Sequence, residues 1–309
     1  MSPSTRQNVA HSVFERLRYK AQTNMDDFNF LLRRYGMERF LHRLGISSHA
    51  KDFILKGASL FLAWKGQSYR VTKDADFLML GRLDINTVVA IFKKLCEIDS
   101  RNTDGISFLT DSVKCVVIRE DNVHSGLRVT FTGMLNKVRI PLQVDIGFGD
   151  EITPSVEMVD FPTLLDAPAP RLRAYPRYAV VAEKFETMVL LGLANSRMKD
   201  FFDIWLMSRL FEFDGEILCK AIQKTFERRG TDLPEDVPFA FTDEFKNDAQ
   251  KKSQWKAFVK RAKPDIETEN LDSTIKDIAE FLVPVLQALQ SNNRLSEIWL
   301  KGGPWHLRG

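Results

Sequence analysis

The stretch that decides the fold is FILKGASLFLAWKGQSYRVTKDADFLML, residues 53–80. Phe53-Ile54-Leu55 is a short apolar run of strand length, closed by Lys56 and Gly57. Ser59 to Trp64 then reads as a helix. Asp74-Ala75-Asp76 alternates polar and apolar before Phe77 to Leu80 turns continuously apolar, as a central strand does. Period two places Asp74 and Asp76 on one face, about 7 Å apart along the strand. Two such charges repel unless a cation or basic groups lie between them. Carboxylate oxygens suit Mg²⁺, which takes one or two protein carboxylates plus phosphates and water. Taken alone, the pair leaves two readings open, a cation site or an ion-paired surface. Gly57-Ala58-Ser59 adds to the first, because a turn opening a helix offers N–H groups and a hydroxyl to a phosphate.

Upstream, Val13 and Leu17, then Phe28, Leu31, Leu32, Tyr35, Phe40, Leu41 and Leu44, recur at helical spacing, with Asp26 and Asp27 suited to the second helix's start. Downstream, Ile85 to Leu95 reads as helix, and from about residue 106 to 148 the period becomes two. Three runs around Val113–Val117, Leu127–Phe131 and Ile140–Ile146 are antiparallel strand candidates. Asp145 lies in the third, opposite Val144 and Ile146 and on the side of Gln143 and Gly147. It suits a third carboxylate for phosphoryl transfer, or a partner for an arginine such as Arg139. Pro154, Pro162, Pro168, Pro170 and Pro176 mark a connector, after which the chain reads as helical. The expected class is α+β: residues 1–165 hold N-terminal helices and a mixed-sheet core, and 166–309 a helical C-terminal domain. No GxGxxG or GxxxxGK[ST] loop is present, which argues against dinucleotide-binding and P-loop enzymes.

The chain has 309 residues with a formal charge of +3, 44% apolar and 11% aromatic residues, enough for a substantial core. The near-neutral total hides a modulation: residues 1–73 carry +8, 74–170 carry −6, 171–199 carry +4, and the remainder −3. Basic segments around an acidic one fit metal-loaded carboxylates beside a polyanion-binding surface, and fit intramolecular charge pairing as well. Three isolated cysteines imply no disulfide framework, and no apolar run approaches a bilayer-spanning length. With no secretory pattern at the start, a cytoplasmic protein without membrane contact is expected. The five histidines show no HExxH or Cys/His zinc spacing. The C-terminal KGGPWHLRG reads as a frayed tail.

The order GxS, DxD, strand-borne Asp is the outline of polymerase-β-like nucleotidyltransferases. With LQVDIGFGD (142–150) and YPRYAVVAEKFETMVLLGLANSRMKDFFDIWLM (175–207), the chain resembles the AbiEii/AbiGii nucleotidyltransferase toxin family, which includes MenT-like toxins. The resemblance implies a polymerase-β-like core, with Asp74, Asp76 and Asp145 as catalytic and metal-binding residues for Mg²⁺ (Mn²⁺ as a substitute). It implies nucleotide binding by Gly57, Ser59, Thr72, Lys184, Arg197 and Lys199, and catalytic roles for Lys184 and Asp200. It further implies a toxin of a toxin–antitoxin or abortive-infection system that moves a nucleoside monophosphate from an NTP to RNA, chiefly the tRNA 3′ end, with a cognate antitoxin as partner. Two alternatives stay open: transfer to a protein hydroxyl, or a non-catalytic module that binds nucleic acid or a partner. From the residues themselves, Lys184 lies at the margin of an apolar helix side, while Asp200 and Asp203, three apart, share a face and could fix it or Arg197. Arg171, Arg173 and Arg177 beside Tyr175 and Tyr178 read either as a phosphate track with stacking rings or as core aromatics with a solvated rim.

Overall fold

The computed structural model describes residues 3–67, 69–70, 74–81, 83–120, 124–149, 152–264, 266 and 270–308. Two helices open the chain, α1 (Pro3–Asn24) and α2 (Phe28–Gly45). Asp27 caps α2 by accepting from Phe30 N–H, as its position before the apolar stripe predicts. The deciding stretch forms β1 (Phe53–Lys56), α3 (Ser59–Lys65) and β2 (Ala75–Leu80). Then follow α4 (Ile85–Glu97), the short α5 (Arg101–Asp104), and three long strands, β3 (Ile106–Glu120), β4 (His124–Leu135) and β5 (Val138–Gly149).

The connector is not followed at once by helices. It contributes β6 (Glu157–Asp160) and β7 (Arg171–Ala174), an antiparallel pair whose β7 joins β1 in parallel. The alternation Leu172 in, Arg171 and Arg173 out is a strand pattern too short to stand out among the prolines. The sheet order is β3-β4-β5-β2-β1-β7-β6. It is mixed, since β2 runs parallel to β5 while β1 and β2, β3 and β4, and β4 and β5 pair antiparallel.

One face of the sheet is packed. Val144, Ile146, Val129 and Phe131 point into a core with Phe40 of α2 and Phe92 of α4, and Phe40 and Phe131 lie 4.4 Å apart between ring centroids. Helix α2 approaches β5 closely at Gly36, where a Cβ would already touch Ile140 at 3.2 Å. The odd-numbered residues of β5 and their partners on β4 therefore face away from this core. Register on that face is set by the two-residue turn Asn136-Lys137, with Asn136 in the left-handed region that asparagine tolerates. The turn pairs Leu135 with Val138, and counting back brings Arg128 opposite Asp145.

The chain divides into two units, residues 1–68, 72–151 and 157–174 in one, and 69–71, 152–156 and 175–309 in the other. The second unit contains α6 (Arg177–Leu191), α7 (Met198–Leu210), β8 (Phe213–Asp214), α8 (Gly215–Arg229), α9 (Asp243–Asn247), α10 (Ala249–Ala262) and α11 (Leu271–Gln290). Phe185, Phe201, Phe202 and Phe226 are fully buried there. The tail is not frayed: β9 (Glu297–Trp299) and β10 (Trp305–Leu307) pair antiparallel, and β8 joins β9. Trp305 donates its indole N–H to Phe281 O at 3.1 Å and stacks on the Phe281 ring. Two tryptophans and a phenylalanine anchor this end, an arrangement that tail composition alone does not disclose.

Candidate active site

The sheet unit assembles a charged row from four consecutive strands. Lys56 on β1 pairs with Asp76 on β2, Asp76 with Asp145 on β5, and Asp145 with Arg128 on β4. Cross-strand partners share a face and lie about 5 Å apart, so the order is cation, anion, anion, cation. Asp74, in the bend just before β2, lines one groove with Gln143 and Thr130, which belong to that same face. Like charges placed side by side cost free energy, and the flanking Lys56 and Arg128 offset it. Arg128 grips Asp145 with both arms, Nε to Oδ1 at 2.9 Å and the terminal nitrogen to Oδ2 at 2.8 Å; Gln143 adds a weaker donation at 3.3 Å. The Arg128 pKa is raised, first by this hydrogen bonding and then by the charges of Asp145, Asp74 and Asp76. Asp145 is thus an arginine partner as well as a neighbour of the DxD pair, and the arginine is Arg128, not Arg139.

Gly57 holds the turn beside Asp76. Its φ is 73°, and a Cβ there would lie 2.7 Å from Asp76 Cγ, inside contact distance. The Lys56 ammonium lies over Gly147, 3.1 Å from where a Cβ would stand. Ser59 is buried at the first turn of α3. Thr72 lies outside the described residues. For a divalent cation, Asp74 and Asp76 supply the oxygen donors and the carboxylate count Mg²⁺ prefers. Among the described residues, no group of three or more His, Cys, Asp or Glu is gathered as a metal set, and Asp145 has both oxygens engaged by Arg128.

The helical unit gathers a second charged set. Lys184 of α6 ion-pairs with Asp200 and, at 3.0 Å, with Asp203, both on α7. Arg197 Nε donates to Asp200 at 2.6 Å, and Arg70 holds Asp203 through two hydrogen bonds at 2.9 and 3.0 Å. Side-chain exposure is 2% for Asp200, 1% for Asp203 and 17% for Lys184. Burial opposes ionisation of Asp200, but Lys184 and Arg197 outweigh it and hold the carboxyl well below the usual range. Asp203 is lowered likewise, against burial, by Arg70 and Lys184. Burial also opposes the Lys184 charge, and the two aspartates overcome it, raising that pKa. Lys199 is exposed and makes no ion pair with a described residue. Tyr175 and Tyr178 are buried, with hydroxyls bonded to Glu183 and to Asp214 N–H, so they are core rings and not stacking platforms.

Sequence reasoning placed Asp74, Asp76, Asp145, Lys184, Arg197 and Asp200 as candidates, and missed Lys56, Arg128 and Arg70 as their partners. The Asn136-Lys137 turn is the signal from which the Arg128–Asp145 pairing was available. Nothing local points Arg70 to Asp203, which lies 133 residues away.

A mixed sheet bearing paired carboxylates beside a Gly-to-Ser helix start belongs to the α+β nucleotidyltransferase class. The chain is a member of the AbiEii nucleotidyl transferase toxin family, described as a type IV toxin–antitoxin system, whose family model matches residues 39–281. The family implies an antitoxin partner. Two solved structures are similar at low identity: JHP933 from Helicobacter pylori (12% identity, 85% of this chain and 94% of that one, TM-score 0.47) and a candidate nucleotidyltransferase from the same organism (12%, 85% and 97%, TM-score 0.45). No curated protein matches the chain in sequence. No described helix is long and apolar enough to cross a membrane.

Proposed function

We propose that the protein is an NTP-dependent nucleotidyltransferase that adds a nucleoside monophosphate to the 3′-hydroxyl of an RNA, a tRNA end in the first instance, and so acts as a toxin on translation. The observation that carries this is the in-register Asp76–Asp145 pair, flanked by Lys56 and Arg128 and preceded by Asp74, in a chain of this family. In the reaction the acceptor oxygen forms a bond to the α-phosphorus, the α–β anhydride bond breaks, and pyrophosphate leaves. Asp74 and Asp76 would hold Mg²⁺ or Mn²⁺, which when bound supplies positive charge to phosphate oxygens. On this reading Asp145 would take the hydroxyl proton once one of its two bonds to Arg128 is released, and Lys56 would face phosphate as a point charge. Gly57 keeps the backbone clear of Asp76 at the turn into α3.

The family resemblance gives Lys184 and Asp200 a part in activity. We assign them a supporting one: Lys184 has its charge shared by two buried aspartates, so it fixes α6 to α7.

Each α-³²P-labelled NTP, incubated with the protein, Mg²⁺ and total RNA, tests the reading against an Asp76→Asn control. Label in RNA that depends on Asp76 supports it. Label only in protein overturns the acceptor, and no transfer from any NTP overturns the activity.

A further inference from the structure

Beside the carboxylates the outward face of β3, β4 and β5 forms an open groove of about 610 Å³. Asp74 and Asp111 line it together with Gln143, Thr130 and Thr132. Three cations converge on it from separate elements: Arg33 of α2, Lys114 of β3 and Arg139 of β5. None of the three forms an ion pair with a described residue, in contrast to Lys184, Arg128 and Arg70. The Arg33 Nε is buried without a hydrogen-bond partner. A bulge shapes the far wall, where the β3–β4 register shifts between Leu109 and Lys114. There the Ser112 hydroxyl donates to Leu109 O and accepts from Thr132 N–H.

Three cations against the two carboxylates Asp74 and Asp111 leave the lining net positive, and with hydroxyl and amide groups beside them they suit phosphates. The aromatic in the lining, Phe131, is 2% exposed and belongs to the core behind the sheet, so the groove offers no ring on which a base could stack. Its chemistry reads a sugar–phosphate backbone and not base identity. We propose that this groove carries the single-stranded backbone of the acceptor RNA and leads its 3′ end toward Asp74. The inference rests on the nucleotidyl-transfer reading above and names the acceptor path for it.

The test is binding, not turnover. A fluorescent RNA oligonucleotide with a single-stranded 3′ end is titrated by anisotropy at several salt concentrations, against the native protein and a Lys114→Ala/Arg139→Ala variant. Both side chains are exposed, so the fold should persist, which circular dichroism checks. Two lost phosphate contacts should flatten the log K against log salt slope by about 1.4 and weaken binding on the order of tenfold at low salt. Mg²⁺-dependent NTP binding, followed by equilibrium dialysis, should stay unchanged. Equal RNA binding by the variant overturns the groove, even if native protein labels RNA. A loss confined to NTP binding overturns it too, by making the groove a nucleotide site. If native protein labels no RNA yet binds it through these residues, the groove stands and the catalytic reading fails.

Discussion

Replacing Lys184 by methionine keeps most of the stem and removes the charge between Asp200 and Asp203. Removing one partner from a buried ion pair typically costs about 3–5 kcal/mol, because the remaining charge stays out of water. Here each aspartate keeps an arginine, Asp200 with Arg197 and Asp203 with Arg70, so the lower end, about 3 kcal/mol, is expected. At about 2–4 °C per kcal/mol for a domain of 150–250 residues, the unfolding midpoint of the helical unit should fall by about 6–12 °C. The double variant Lys184→Met/Asp200→Asn should lose less than the two single losses added together, since the pair is coupled. The pH dependence has a definite sign. Both aspartates have folded-state pKa values below their unfolded ones, so their contribution is present above about pH 4 and is lost as pH falls toward the folded values. The Lys184→Met deficit should therefore be largest near neutrality and shrink below about pH 4. Thermal unfolding by circular dichroism, with nucleotidyl transfer measured on the same samples, decides the matter. A variant with an unchanged midpoint and abolished transfer would refute the supporting role and give the ammonium to the substrate.

Gly57→Ala should hold its fold at a cost of about 1–2 kcal/mol of left-handed strain but push Asp76 aside, lowering transfer on the order of a hundredfold; near-native turnover would contradict the close approach. Arg128→Gln releases Asp145 and removes a positive charge from the row, so Mn²⁺, followed by loss of its free electron-resonance signal, should bind about three- to tenfold more tightly. Weaker Mn²⁺ binding would instead make Arg128 a support for the site. Trp305→Ala should cost about 2 kcal/mol in chemical denaturation, through the lost ring contact and the bond to Phe281 O, whereas a frayed tail would show a change under about 0.5 kcal/mol.

Periodicity within single segments determined a good deal by itself. Alternation around Asp74-Ala75-Asp76 and Gln143-Val144-Asp145 assigned both strands and put the three carboxylates opposite the apolar side, because a side chain's face depends only on its own backbone period. The helical stripes of residues 28–44 and the cap at Asp27 followed for the same reason. What lay beyond reach was partner choice. Which cation stands beside Asp145 depends on a register fixed at Asn136-Lys137, and the Arg70–Asp203 bond joins residues brought together only by folding. The short β7 among prolines and the tail strand at Trp305 take their structure from the neighbours they pair with, β1 and β9. The sequence thus named the carboxylates, the local chemistry and the family, while the tertiary fold chose the charges that oppose them. Charge compensation is a sum over neighbours in space, and only the packed sheet and helices say who those neighbours are.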